Sequence, residues 1–130
     1  MCLYSKQLKP LVATSDIRVW KVLTEDGLTP YMWQQYHRGR NIAYSENRDL
    51  GHAVLFWCSE NHDVTVVCDG YLHAFREKYD ADYTADVING RNDGKTYKTV
   101  EMRIPAGAEY WEGLLNDIAA TELIWDEQPD

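Results

Sequence analysis

Four stretches of the chain carry the hydrophobic pattern of a β-strand, and one region steps at the period of a helix. Ile17 to Thr24 (I-R-V-W-K-V-L-T) is rich in β-branched residues and predicts a strand. His52 to Cys58 (H-A-V-L-F-W-C) and Val64 to Cys68 (V-T-V-V-C) are apolar runs, and the connector Ser59-Glu60-Asn61-His62-Asp63 has the residues a turn wants. The pair predicts a hairpin at the centre of a sheet. Val100, Met102 and Ile104 alternate with Glu101 and Arg103, the period of a half-buried strand over Thr96–Ile104. Pro105 and Gly107 then supply the fixed and the permissive torsions of a turn, with Tyr110 and Trp111 on its far side.

The remaining segments are weaker. After a turn at Glu25-Asp26-Gly27, Leu28 to Tyr36 predicts a second strand whose first part Pro30 confines to an edge or a loop. Residues 37–51 read as a loop with one short strand at Ile42–Tyr44. Ala74, Phe75, Tyr79, Tyr83, Val87 and Ile88 recur in steps of three and four, which predicts a helix over about residues 74–89 that stops at Gly90. Ile118 to Trp125 predicts a closing strand, and a helix over residues 113–122 is the competing reading. Residues 1–15 read as an extended leader and the last five residues, Asp-Glu-Gln-Pro-Asp, as a short acidic tail. With no repeat, linker or low-complexity segment, residues 1–130 are expected to form a single α+β domain, mostly antiparallel sheet with one main helix.

Charge narrows the choice of partner. The net charge of -8 is uneven: residues 1–50 hold seven Lys or Arg against five acids, and residues 51–130 hold six against sixteen. Beyond Ile104 there are seven acids and no Lys or Arg. This distribution repels nucleic acid and suits a protein partner with a basic surface. Hydrophobic residues at 45% exclude disorder for most of the chain. No apolar run approaches a membrane span, and the N-terminus lacks a signal-type apolar core, so a cytoplasmic protein is expected. Cys2, Cys58 and Cys68 are odd in number and lack CxxC spacing, which points to reduced, buried thiols.

Candidate chemistry is sparse. His52, Cys58, His62, Cys68 and His73 crowd together but form no short ligand pair, so no metal and no cofactor is expected. Cys58 or Cys68 with a histidine base is incomplete as a nucleophilic set, because both thiols end apolar strands. Asp80, Asp82 and Asp86 fall on the predicted helix, the last two sharing a face. His37, Arg38, Arg40 and Arg48 form the basic cluster, interleaved with Trp33, Tyr36 and Tyr44. Trp33, Tyr36, Arg38 and Arg40 are therefore the candidate binding residues. They suit either the stacking of a nucleotide or phosphate or a self-contact with the C-terminal acids.

Three segments carry a family resemblance: Asp16 to Leu23, Gly70 to Phe75 and Ile104 to Trp111. Together they resemble small proteins encoded by Bacteroides and their phages, in which a DI-x-x-YK-x-L strand, a GFIHSY-like segment and an IPKGTKYY-like turn follow in this order. Trp20, Ala106 and Ala108 depart from that pattern. The group has no established activity, so the resemblance implies fold and origin but no catalytic residue. A second likeness is chemical. Glu101 to Gly107 resembles the segment of arginine-type ADP-ribosyltransferases in which a catalytic glutamate precedes a strand end and a Pro-rich turn. That likeness implies Glu101 as the group that binds the nicotinamide ribose, with Lys21, Tyr71 and His73 as neighbouring candidates. Thr99 in place of an acid, Lys21 in place of an arginine and the lack of a Ser-Thr-Ser motif depart from it. The sequence thus supports an accessory protein that binds a partner through an acidic or aromatic surface, with a nucleotide-handling enzyme using Glu101 as the alternative.

Overall fold

Strand pairing organises the molecule into two sheets, with a helix laid against the larger. The computed structural model describes residues 3–7, 9–30, 34–43, 53–57, 63–67, 71–91 and 94–126, with the backbone alone for 53–57 and 63–66. The elements are β1 (Leu3–Ser5), β2 (Leu11–Val12), β3 (Ile17–Thr24), β4 (Gly39–Ile42), β5 (Ala53–Trp57), β6 (Asp63–Val67) and β7 (Leu72–Phe75), then α1 (Lys78–Asn89), β8 (Tyr97–Ile104), β9 (Glu109–Glu112), β10 (Asp117–Ala120) and β11 (Glu122–Trp125). The large sheet has eight strands in the order β2-β9-β10-β7-β3-β8-β11-β4, and the small one has three in the order β1-β6-β5. All pairings are antiparallel. The architecture is α+β with a dominant sheet.

The large sheet is rolled, and one residue shows why. Only Thr121 separates β10 from β11 along the chain, yet β7, β3 and β8 stand between them in the sheet. A flat sheet cannot place such strands end to end, so the sheet curls until its two ends meet at this corner. The Thr121 N–H donates to the Glu109 carbonyl of β9, and the Thr121 carbonyl accepts from Ala43 just past β4, both at 2.9 Å. The Thr121 hydroxyl also accepts from the Glu109 N–H at 3.1 Å.

Alternation along β3 and β8 sorts the two faces. Val19, Leu23, Val100, Met102 and Ile104 point into the roll, where Leu72, Ala74, Ile118, Ala120, Leu123 and Trp125 meet them in one buried cluster. Val22 and Tyr97 point outward and are covered by Ala81, Ala85 and Ile88 of α1, with Trp20 and Phe75 at the margin. The alanines bring the helix close to the sheet, while burial of a side chain the size of Ile88 contributes about 1.5–3 kcal/mol. Asn89 fastens the helix end to β8, donating to the Tyr97 carbonyl at 2.9 Å and accepting from its N–H at 2.8 Å. Farther along the same outer face, Leu3 and Val67 of the small sheet pack on Trp111 and Ala119.

Several expectations are corrected. The helix starts at Lys78 rather than Ala74, because Leu72–Phe75 alternates buried and half-buried side chains and pairs with β10 and β3 as a strand. The described residues of Leu28–Tyr36 do not form the expected continuous strand: Thr29 donates to Gln34 and a single antiparallel bridge joins Leu28 to Gln35, so the two ends of the segment pair with each other, and residues 31–33 between them lie outside the described residues. The expected hairpin of β5 and β6 forms in the small sheet, where β6 is the central strand and β5 lies at the edge. The short strand expected at Ile42–Tyr44 lies at Gly39–Ile42. The closing strand is two strands, bent at Thr121, and the competing helix over 113–122 is replaced by a turn at Gly113–Asn116 and β10. The expected leader contains β1 and β2, which join the two sheets separately.

Candidate functional site

Among the described residues, Lys21 is the charged side chain inside the roll. Its phase on β3 is that of Val19 and Leu23, and it stands opposite Val100. It is 9% exposed. Its ammonium donates to the His73 carbonyl at 2.5 Å and lies 4.6 Å from the centre of the Tyr36 ring. Removal from water penalises the charged form and pulls the pKa down to about 8. Gly27 helps to hold this arrangement: its carbonyl accepts from the Tyr36 N–H at 2.8 Å, and at a φ of +89° a Cβ there would meet the Tyr36 carbonyl at 2.3 Å.

Glu101 faces the other way. It pairs in register with Trp20, one position from the Lys21–Val100 pair, so its side chain projects from the outer face. There it meets Arg18 at 2.7 Å, both groups well exposed. His73 contributes its backbone carbonyl to Lys21, whereas by strand alternation its ring shares the face of Phe75. Tyr71 lies edge-on to Trp111 with ring centres 6.4 Å apart. Lys21 and Glu101 therefore do not open into one pocket.

The basic cluster is engaged with the end of the chain. Arg38 covers the Trp125 ring at 4.2 Å and donates to the Asp126 carbonyl at 2.7 Å. Arg40 pairs with Glu122. Tyr36 is buried in the main core. Trp33 lies outside the described residues, as do Arg48, Tyr44, Cys2, Cys58, Cys68, His52 and His62. Nearby, Arg103 bonds Asp126 and Asp16, both raising its pKa above the ordinary value with Asp126 first. Asp16 also accepts from the Ala106 N–H at 3.0 Å, which pins the Pro105–Gly107 turn. Among the described residues no group of three or more His, Cys, Asp or Glu is placed to hold a metal ion, and no helix is long and apolar enough to cross a membrane.

The outer side of α1 is the notable apolar surface. Tyr79, Tyr83 and Val87 repeat every four residues and are 77%, 64% and 39% exposed, while Ala81, Ala85 and Ile88 take the packed side. At 100° per residue the stripe is diametrically opposite the buried one, and Asp82 and Asp86 run along its flank. Asp82 bonds Lys78 at 2.9 Å. Its pKa is lowered, first by a hydrogen bond from Thr99 and then by one from Lys78.

An open cleft of about 310 Å³ lies between the end of β1 and the β9–β10 turn, lined by Ser5, Lys6, Gln7, Arg76, Glu112, Gly113 and Leu114. Backbone bonds set its walls: Leu114 donates to Tyr4 at 2.8 Å, Arg76 to Asn116 at 2.9 Å and Gly113 to Asp117 at 2.7 Å. The side-chain amide oxygen Oε1 of Gln7 accepts from the Glu112 N–H at 2.7 Å. Asp117 packs behind Gly113, where a Cβ would come within 1.8 Å of its carboxylate, and partial burial raises its pKa.

No protein-family model, curated protein or solved structure matches the chain. Of the surfaces above, the α1 stripe had a signal in the sequence, the four-residue spacing of Tyr79, Tyr83 and Val87, although its phase relative to the core did not. Lys21 was also legible, since Ile17, Val19, Lys21 and Leu23 share one strand phase. The cleft had no signal, because Lys6, Arg76 and Glu112 come from three distant parts of the chain.

Proposed function

We propose that the protein acts by binding, docking a basic segment of a partner protein on the outer face of α1. An accessory role in a bacterium or its phage accords with the resemblance in three segments of the sequence. The observation that carries the binding reading is the exposure of Tyr79 at 77% and Tyr83 at 64% on the side of the helix facing away from the sheet. Ring faces take up guanidinium or ammonium groups at about 0.5–1 kcal/mol each at exposed sites. Asp86 supplies complementary charge beside them, Asp82 being paired with Lys78, and the net charge of -8 favours encounter with a cationic partner.

The test is fluorescence anisotropy with a labelled arginine-rich peptide at low and physiological salt. Binding should weaken with salt, and the Tyr79→Ala, Tyr83→Ala double variant should weaken it about tenfold, as the loss of two ring contacts implies. Binding that depends on salt but ignores the tyrosines would reduce the effect to nonspecific charge and sink the proposal.

A further inference from the structure

Three charged side chains around the cleft neutralise nothing within the described molecule. Lys6, Arg76 and Glu112 all line it. None of them belongs to an ion pair among the described residues, whereas Arg18, Arg40 and Arg103 each meet a carboxylate. Two cations and one carboxylate thus border a single space while standing out of salt-bridge reach of one another. The walls that carry them are tied by main-chain hydrogen bonds across β1, the end of β7 and the β9–β10 turn, so their spacing belongs to the fold.

The sign of the three charges selects the ligand. A simple anion would satisfy Lys6 and Arg76 but would lie in the repulsive field of Glu112, and a simple cation would meet the reverse problem. A small molecule bearing both a carboxylate and an ammonium meets all three groups. A guanidinium suits a carboxylate through two parallel hydrogen bonds. The volume, about 310 Å³, is at the lower end of the range for small-ligand clefts and suits a single amino acid. Leu114, partly exposed on the rim, offers an apolar contact for its side chain.

We propose that this cleft binds a small zwitterion of the amino-acid class, its carboxylate held by Arg76 and Lys6 and its ammonium by Glu112. The site is separate from the α1 face and stands or falls independently of it. The test is a titration of the ¹⁵N-labelled full chain, followed by amide shifts, with glycine, L-leucine and L-lysine as probes and with acetate and methylammonium as controls. Saturable shifts at Gln7, Gly113 and Leu114 are expected with at least one amino acid, and binding about tenfold weaker is expected with either control. Arg76→Gln and Glu112→Gln should each weaken the amino acid about tenfold while leaving the spectrum dispersed. Should either variant lose dispersion, Lys6→Gln carries the same expectation. No saturable shift up to about 10 mM, acetate matching the amino acid, or folded variants that bind unchanged would each overturn the assignment.

Discussion

Lys21 and Glu101 occupy neighbouring positions of one ladder, yet the first is sealed inside the rolled sheet and the second stands in solvent beside Arg18. Inside, there is little water to stabilise a charge. The ammonium has one carbonyl and one ring in exchange, and its pKa falls to about 8. Outside, water screens the Arg18–Glu101 pair, and exposed pairs of this kind contribute about 0–1 kcal/mol. The same strand pairing therefore makes one charge a burden on the fold and leaves the other almost without effect on it. The contrast teaches that the phase of a residue on a strand, and not its distance along the chain, decides what its charge costs.

Three substitutions probe that contrast. The largest effect belongs to the inner face itself: Met102→Ala, in a fully buried position beside Glu101, should cost about 2–5 kcal/mol in urea denaturation. A loss below about 1 kcal/mol would mean that the roll is loosely packed. Next, Lys21→Met should raise stability at pH 7 by about 1–3 kcal/mol, because the volume is kept and the desolvated charge removed. The pH dependence has a definite sign. The lysine titrates near 10.5 when unfolded and near 8 when folded, so between these values the unfolded chain binds more protons and stability rises with pH. The advantage of Lys21→Met should accordingly shrink as pH climbs through that window, and a gap that widened would show that Lys21 is stabilised as a cation. The smallest effect is expected for Glu101→Gln, which should change stability by less than about 0.5 kcal/mol. A larger loss would reveal a role for Glu101 beyond its contact with Arg18.

Elements whose local pattern agrees with their tertiary setting were legible in the sequence. β3 matches its expected bounds, and β5, β6 and β8 match within a residue, because their β-branched and apolar runs end where pairing ends. The helix end at Asn89 was marked by Gly90. Its start was not, since Ala74 and Phe75 continue the step of three and four while pairing with other strands. The phase of α1 was hidden for a related reason: two alanines and one isoleucine form the packed side, so the larger apolar residues fall on the solvent side. β9 escaped notice because only Trp111 of its four residues is buried. The bend at Thr121 and the cleft of Lys6, Arg76 and Glu112 arise from contacts between remote segments, which no local pattern encodes. For the candidate site, the residues of the α1 stripe could be read from their spacing, but their exposure could not.

The corner at Thr121 also sets an order of events when the chain is made. Asp117–Ala120 and Glu122–Trp125 are the last described strands to be synthesised, and they lie between β9 and β7 and between β8 and β4. A nascent chain that has reached only β9 has the β3–β8 pair but leaves β7, β8 and β9 each lacking a neighbour, with Met102 and Ile104 uncovered. The roll cannot close before residues 117–125 have emerged, because β10 and β11 supply the missing neighbours of β9, β7, β8 and β4.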